Sequence, residues 1–284
     1  MTTLILGAGG MLGRALRRQF PDARPATRQE LDLTDEAALA AAIVPGVDLV
    51  LNAAADTRVD LAESDPAHLD ANDRAVGTLA ELCARARARL VHVSTDYVFD
   101  GRGTRPYREG DPIDPVNAYG RGKRGGEERA LESRAEVLIV RTSWVFGPGG
   151  ANFPDAMLKQ AESGKTELKV VSDQVGRPTF TNDLARAIRL LTEVSAAGVV
   201  HFANQGETTW YSFAIEALRL AGHEEILVRP CASGDFPRPA RRPGYSVLDT
   251  SLYEKTVGER PRPWRDALAE YVADRVPATS PTRA

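Results

Sequence analysis

Short apolar runs at 4–6, 47–51, 90–93, 137–140 and 199–202 alternate with longer stretches of helical period, the first of them at 10–20. A run of four or five apolar residues bounded by turn signals suits a strand buried on both faces, and its alternation with helices is the rhythm of βαβ units. The pattern predicts an α/β fold with a doubly wound parallel sheet. Between the runs, Ser64 and Asp65 followed by Pro66 form a helix start, so 66–88 is expected to be one long helix.

After Gly147 the texture changes, because Pro148, Gly149, Gly150, Pro154, Gly164, Gly176 and Pro178 cut the pattern into shorter pieces. We expect a first domain over 1–147 and a smaller C-terminal substrate-binding lobe over 148–181 and 207–284. The helical stretch 182–194 and the apolar run 199–202 should carry the chain back to the first sheet at about 182–206. Residues 231–245, rich in proline, read as a long loop of the kind that often lines a site. The tail after Pro277 is small and polar and is expected to fray.

Composition narrows the function. The chain has 284 residues, 43% hydrophobic and 26% charged, which is ordinary for a packed α/β protein. A net charge of −3 supplies no basic field, so a nucleic acid polymer is not an expected partner. No apolar run is long enough to span a bilayer, and the start leads into a glycine loop rather than a cleavage site, so a cytoplasmic protein without a membrane partner is expected. Cys83 and Cys231 have no metal-ligand or disulfide pattern around them. No acidic cluster stands out either, and no metal is assigned.

Three motifs carry chemistry. Gly7, Gly10 and Gly13, with Gly9 and the intervening Met11 and Leu12, follow the first strand and open the first helix. Glycines there let a backbone approach a pyrophosphate, and a helix N-terminus offers it free N–H groups. The sheet is therefore expected to be Rossmann-type and to bind a dinucleotide, although GxxGxxG departs from the usual GxGxxG. Arg28, near the end of the second strand, stands where an acid would mark NAD and points to NADPH; Glu30, two residues on, leaves NADH open. Asp32, Leu33, Ala53, Ala54 and Ala55 are expected at the adenine and ribose, with a capping role for Asp32 as the alternative.

Tyr119 and Lys123 lie four apart and share a helix face. A phenol titrates near pH 10, and an ammonium beside it would lower that value and make it a better general acid. Thr95 ends the apolar strand 90–93, at the edge where ligands enter a parallel sheet, and is positioned to hold a carbonyl together with Tyr119. Ser94 and Asp96 beside it are equally readable as turn residues.

These residues resemble the extended short-chain dehydrogenase/reductase superfamily, and more narrowly the dTDP-4-dehydrorhamnose reductases. The likeness runs through the glycine loop, 30–35, 52–55, 59–63, 94–100, 119–123, 141–147, 152–153, 173–174, 178–179 and the closing stretch 242–249. The resemblance implies reduction of the C4 ketone of a dTDP-linked 4-keto-6-deoxysugar, with NADPH as donor and Thr95, Tyr119 and Lys123 as the active site. It further implies a supporting role for Asn72, a sugar contact for Trp144, substrate contacts for Asp96 and Asn152, and diphosphate contacts for Arg177 and Arg242. Asn72 could instead be an ordinary polar residue of its helix, and Trp144 could serve packing alone.

The departure is Gly120 and Gly122, which would each weaken a helix by roughly 1 kcal/mol if they lay inside it. The helix is therefore expected to begin near Tyr119. Two other readings stay open: a related 4-ketoreductase for a rarer deoxysugar, and a cofactor-binding regulatory subunit without turnover. A homodimer stays open too, since an interface helix and a core helix share one period.

Overall fold

In the computed structural model, residues 1–275 are described; the expected fraying after Pro277 lies outside them. Six strands form one parallel sheet: β1 (Thr3–Leu6), β2 (Arg24–Ala26), β3 (Leu49–Asn52), β4 (Arg89–Thr95), β5 (Val137–Thr142) and the strand Gly198–His201. From one edge they run β2, β1, β3, β4, β5 and then Gly198–His201. The order reverses between β1 and β3, which opens a crevice at the carboxyl ends of those two strands.

Both faces of the sheet are covered, and strand alternation decides which residue goes where. Leu4, Leu6, Val50, Leu90, Val137 and Ile139 share one core with Leu39, Val76, Leu79 and Cys83. Their immediate neighbours Ile5, Leu49, Leu51, Val91, Leu138 and Val140 share the other with Leu16, Leu184, Ile188 and Leu191. The first face is thus covered by α2 (Glu36–Ala42) and α4 (Ala75–Ala86), and the second by α1 (Met11–Gln19) and the helix Thr181–Glu193. That last helix packs on α1 and delivers Gly198–His201 to β5.

A third core is built on Phe146, Leu158, Phe180, Phe213 and Trp264. Around it stand the helices Phe153–Glu162, Trp210–Leu220 and Trp264–Arg275. The closing stretch ties the segment after β4 to the residues around Val175: Tyr107 N–H donates to Val247 O at 2.8 Å, Ser246 N–H to Val175 O at 2.8 Å and Tyr245 N–H to Gly101 O at 3.0 Å.

One helix differs from expectation. The 66–88 helix is interrupted: α3 (Pro66–Leu69) passes through a π-turn at Asp70–Arg74 before α4 begins. The wider turn turns Asn72 inward, where its amide donates to Asp56 O at 2.8 Å and its carbonyl accepts from Asp56 N–H at 3.2 Å. Helix α5 (Ala118–Glu132) begins one residue before Tyr119, capped by Asn117, whose Oδ1 accepts from Gly120 N–H at 2.8 Å. Gly120 and Gly122 therefore lie inside it. The reason is proximity: a Cβ on Gly120 would stand 2.2 Å from Tyr97 O, and one on Gly126 would stand 2.3 Å from Asn72 O.

Candidate functional site

The glycine loop divides into two pairs. A Cβ on Gly7, which has φ +73°, would stand 2.7 Å from Ala54 N, and one on Gly13 would stand 2.1 Å from Gly7 O. These two glycines let β1, β3 and α1 close on one another. Gly9 and Gly10 have room behind them, their nearest protein atoms lying 3.5 Å from an added Cβ. What they keep clear is the groove they line. Gly10 caps α1 without a side chain, so the first-turn N–H groups at Met11, Leu12 and Gly13 keep no side-chain partner. This is a phosphate cradle in form, and it fits a dinucleotide pyrophosphate.

The groove, of about 670 Å³, runs from Gly10 past Arg28, Asp32 and Leu33 to Ala53, Ala54 and Ala55, and ends at Asp56. Met11, Leu12 and Gly13 do not line it with side chains; Leu12 packs into the sheet core. Arg28 is exposed at the rim with Nε 3.1 Å from the Asp32 carboxylate. Asp32 also accepts from Thr34 N–H and Oγ1, at 2.8 Å each. Those two bonds hold its pKa below the usual range, so it caps the following turn. Glu30 is folded back onto Thr27 N–H and Oγ1, leaving Arg28 as the basic group at the strand end.

Thr95 ends β4 as a buried side chain, its hydroxyl donating to Asp96 Oδ1 at 3.1 Å. Asp96 itself is buried, which pushes its pKa up to about 7. Tyr119 stands between two rings, edge-on to His68 at 5.9 Å and to Tyr97 at 5.8 Å. His68 belongs to the groove side: its Nε2 lies 3.6 Å from Asp56, and its Nδ1 lies 3.2 Å from the Asn72 amide. Tyr97 lines a second cavity, of about 980 Å³, together with Phe153, Gln174, Trp210 and Arg242. Tyr119 lines neither space itself: it is buried between a residue that bears on the groove wall at Asp56 and a residue of the second cavity's wall.

One expectation fails here. Lys123 does not lower the pKa of Tyr119, which burial pushes above its ordinary value while the Thr95 hydroxyl pulls the other way. The lysine is buried and turned toward the sheet, with Nζ 2.8 Å from Val93 O and 3.0 Å from His92 Nε2. A shared helix face brings the two side chains into one neighbourhood but does not set what each one touches.

The expected substrate residues divide in the same way. Arg242 lines the second cavity, held by Asp60 at 3.0 Å and by Ala240 O at 2.9 Å. Trp144 is stacked flat on the cavity residue Trp210, with centroids 3.6 Å apart. Asn152 is committed to structure: it accepts from Asp155 N–H at 3.0 Å and donates to Gly147 O at 3.0 Å and to Tyr271 at 2.9 Å. Asn152, Phe153 and Pro154 together are a readable helix start. Arg177 reaches Leu248 O at 2.8 Å and does not line the cavity, so a diphosphate contact there is not supported. Residues that sequence reasoning did not single out include Lys169, Arg238 and Arg241 in the cavity wall, His68 and Asp56 beside Tyr119, and His92 behind Lys123.

Comparison with known proteins meets this geometry. Residues 1–276 match the RmlD substrate binding domain. The chain belongs to that family. A dTDP-4-dehydrorhamnose reductase of Streptomyces griseus is 43% identical over 94% of this chain and 91% of its own length. A spore coat polysaccharide biosynthesis protein of Bacillus subtilis is 42% identical over 96% and 97%. Among solved structures, the dTDP-4-dehydrorhamnose reductase of Bacillus anthracis in complex with NADP superposes with a TM-score of 0.92 at 30% identity, covering 96% of this chain and all of that one. For the family, the α/β architecture with its Rossmann-type sheet is the expected frame. Among the described residues no helix is long and apolar enough to cross a membrane.

Proposed function

We propose that the chain is an NADPH-dependent oxidoreductase that reduces the C4 ketone of a dTDP-linked 4-dehydro-6-deoxyhexose, turning dTDP-4-dehydro-L-rhamnose into dTDP-L-rhamnose in the cytoplasm. The observation that carries this reading is buried Tyr119 packed between His68, which bears on Asp56 of a glycine-lined dinucleotide groove, and Tyr97 of a cavity walled by arginines and aromatic rings. The Rossmann part, 1–147 with its return at 182–206, holds the cofactor. The segments 148–181 and 207–284 hold the sugar nucleotide.

When bound, the reduced nicotinamide supplies a hydride to the sugar C4. Thr95 and Tyr119 hydrogen-bond the carbonyl oxygen, and Tyr119 delivers the proton that completes the alcohol. Burial keeps the phenol in its protonated form, so the proton to be delivered is present on Tyr119. Arg28 at the groove rim favours the extra phosphate of NADPH. Asp96, Trp144 and Arg242 serve the sugar nucleotide; arginine's planar fork suits the diphosphate, and Lys169, Arg238 and Arg241 add charge to the same wall.

The test is NADPH oxidation with dTDP-4-dehydro-6-deoxysugar by the wild-type protein and by Tyr119→Phe. The variant is expected to bind NADPH as the wild type does and to lose about 10²- to 10⁴-fold in turnover. Undiminished turnover in the variant would remove Tyr119 from the reaction.

A further inference from the structure

The short helical turn Leu61–Glu63, with Asp60 at its N-cap, joins three parts of the molecule. Asp56 and Arg58, just before it, line the dinucleotide groove. Glu63, at its end, accepts from Ala118 N–H at 2.7 Å and so holds the start of α5. Asn117, the cap of α5, donates in turn to Arg241 O at 2.8 Å. The third part is the proline-rich loop, whose Arg238, Arg241 and Arg242 stand in the wall of the second cavity.

Asp60 does not do what its position suggests. An aspartate at an N-cap ordinarily accepts from the N–H groups of its own helix, yet this carboxylate caps nothing. It reaches across to the loop instead: Oδ1 lies 3.0 Å from Arg242 Nη1 and accepts from Ala240 N–H at 3.3 Å, and Oδ2 accepts from Arg238 Nη1 at 3.4 Å. Burial raises the pKa of Asp60, but the hydrogen bond and charge of Arg242 outweigh it, so the carboxyl stays below its ordinary value and is charged at neutral pH.

The bonds of Arg242 are one-sided. Its Nη1 takes both Asp60 and, at 2.9 Å, Ala240 O, while among the described residues Nε and Nη2 have no partner. The side chain is only 17% exposed, and the space it opens on is the cavity it lines. A guanidinium is a rigid planar fork, so fixing one nitrogen fixes the direction of the others. Asp60 itself does not line that cavity. It therefore stands behind the arginine rather than in a ligand's place.

We infer that Asp60 is a positioning residue: from the cofactor-side loop it pins Arg242 by one nitrogen, so that the other two present a fixed fork to the diphosphate of a sugar nucleotide. Arg238 and Arg242 share this one carboxylate, which leaves a positive charge over for the ligand, and Lys169 and Arg241 add to it. Paired bonds from a guanidinium to phosphate oxygens demand geometry as well as charge, and without Asp60 the buried arginine loses both its counter-ion and its fixed direction. The identity of the ligand rests on the reductase reading. The consequence is confined to the diphosphate, since the reacting carbonyl is met by Thr95 and Tyr119.

The test compares dTDP with thymidine, which differs from it by the diphosphate alone. Each is titrated into the full-length protein, and its dissociation constant is read by nuclear magnetic resonance. Asp60→Asn keeps the shape of the side chain and removes its charge; it is expected to weaken dTDP about tenfold or more while thymidine stays within about twofold of the wild type. With the sugar nucleotide as substrate, the loss should fall on KM and not on kcat. Asp60→Glu, which restores the charge, should recover most of the dTDP affinity, and Asp60→Asn placed in an Arg242→Met background should add no further loss. Equal dTDP affinity in the wild type and Asp60→Asn, or equal losses for dTDP and thymidine, would overturn the inference. A wild type that binds dTDP but does not turn over the sugar nucleotide would sink the reductase reading alone and leave the comparison of the two probes to decide on Asp60. If Asp60→Asn does not fold, Asp60→Ser, which suits an N-cap equally well, gives the same comparison.

Discussion

The buried pair Glu127–Arg141 ties the helix that carries Tyr119 and Lys123 to the sheet, and it allows a quantitative test. Arg141 Nη2 lies 2.7 Å from Glu127 Oε2, and Nε lies 3.0 and 3.1 Å from the two carboxylate oxygens. Side-chain exposure is 4% for the arginine and 2% for the glutamate. Two charges removed from water in this way need each other: taking one away leaves the other desolvated, at about 3–5 kcal/mol. Replacing both by apolar residues removes the orphan and often costs little. Arg141→Met is therefore expected to destabilise by about 3–5 kcal/mol. At roughly 2–4 °C per kcal/mol for a chain somewhat shorter than this one, Tm should fall by about 6–20 °C. Glu127→Leu should behave similarly, and the double variant should be more stable than either single one. Thermal and urea unfolding of the four proteins give the coupling, expected at about 3 kcal/mol. Additive losses, with a coupling below about 0.5 kcal/mol, would show that the pair is not the closed unit described here.

Two further outcomes follow from packing and burial. Gly120→Ala would gain about 1 kcal/mol of helix propensity. It would also set a methyl 2.2 Å from Tyr97 O, an overpacking conflict of about 1–3 kcal/mol or more. Net destabilisation and reduced turnover are expected, whereas Gly110→Ala, with nothing within 4 Å of its new methyl, should be neutral or slightly stabilising. A fully stable Gly120→Ala would contradict the close approach. On the acid side, burial holds His201 at about 3 and His92 well below its ordinary value, so both stay neutral when folded while the unfolded chain protonates near 6.5. Their stability is complete above pH 6.5 and is lost as pH falls below it, each at about 1.4 kcal/mol per unit. Asp96, raised to about 7, works in the opposite sense: its contribution is full below about 3.9 and is lost as pH rises through 7. Two histidines against one carboxyl leave a net loss of about 1.4 kcal/mol per unit between pH 6.5 and 4. Calorimetric unfolding of the wild type and of His201→Asn should show this slope flattening in the variant; a wild-type Tm flat from pH 7 to 4 would refute it.

How much of this is legible from the chain differs by residue. The sheet is, because buried parallel strands read as unbroken apolar runs and glycines punctuate where backbones touch. The groove is, through Gly7, Gly10, Arg28 and 53–55, although the pattern does not separate glycines that serve packing from those that keep the groove clear. The bearing of Lys123 is not: spacing sets a face, and only tertiary contact shows that it meets His92 and Val93 rather than Tyr119. His92 itself sits inside an apolar strand and looks like any core histidine until Asn52 is brought beside it. The π-turn at Asp70–Arg74 has no local signature, since it answers to Asp56 and to the glycines of α5. Asn152 was within reach of sequence reasoning, as an asparagine before Phe153 and Pro154 reads as a cap.

The central claim is the reaction itself, and one measurement meets it directly. Purified protein is mixed with dTDP-4-dehydro-L-rhamnose and NADPH, cofactor oxidation is followed by absorbance, and the product's configuration is determined by nuclear magnetic resonance. The account predicts one NADPH consumed per sugar and dTDP-L-rhamnose as the product. No oxidation above background, or oxidation without formation of a C4 alcohol, would contradict it.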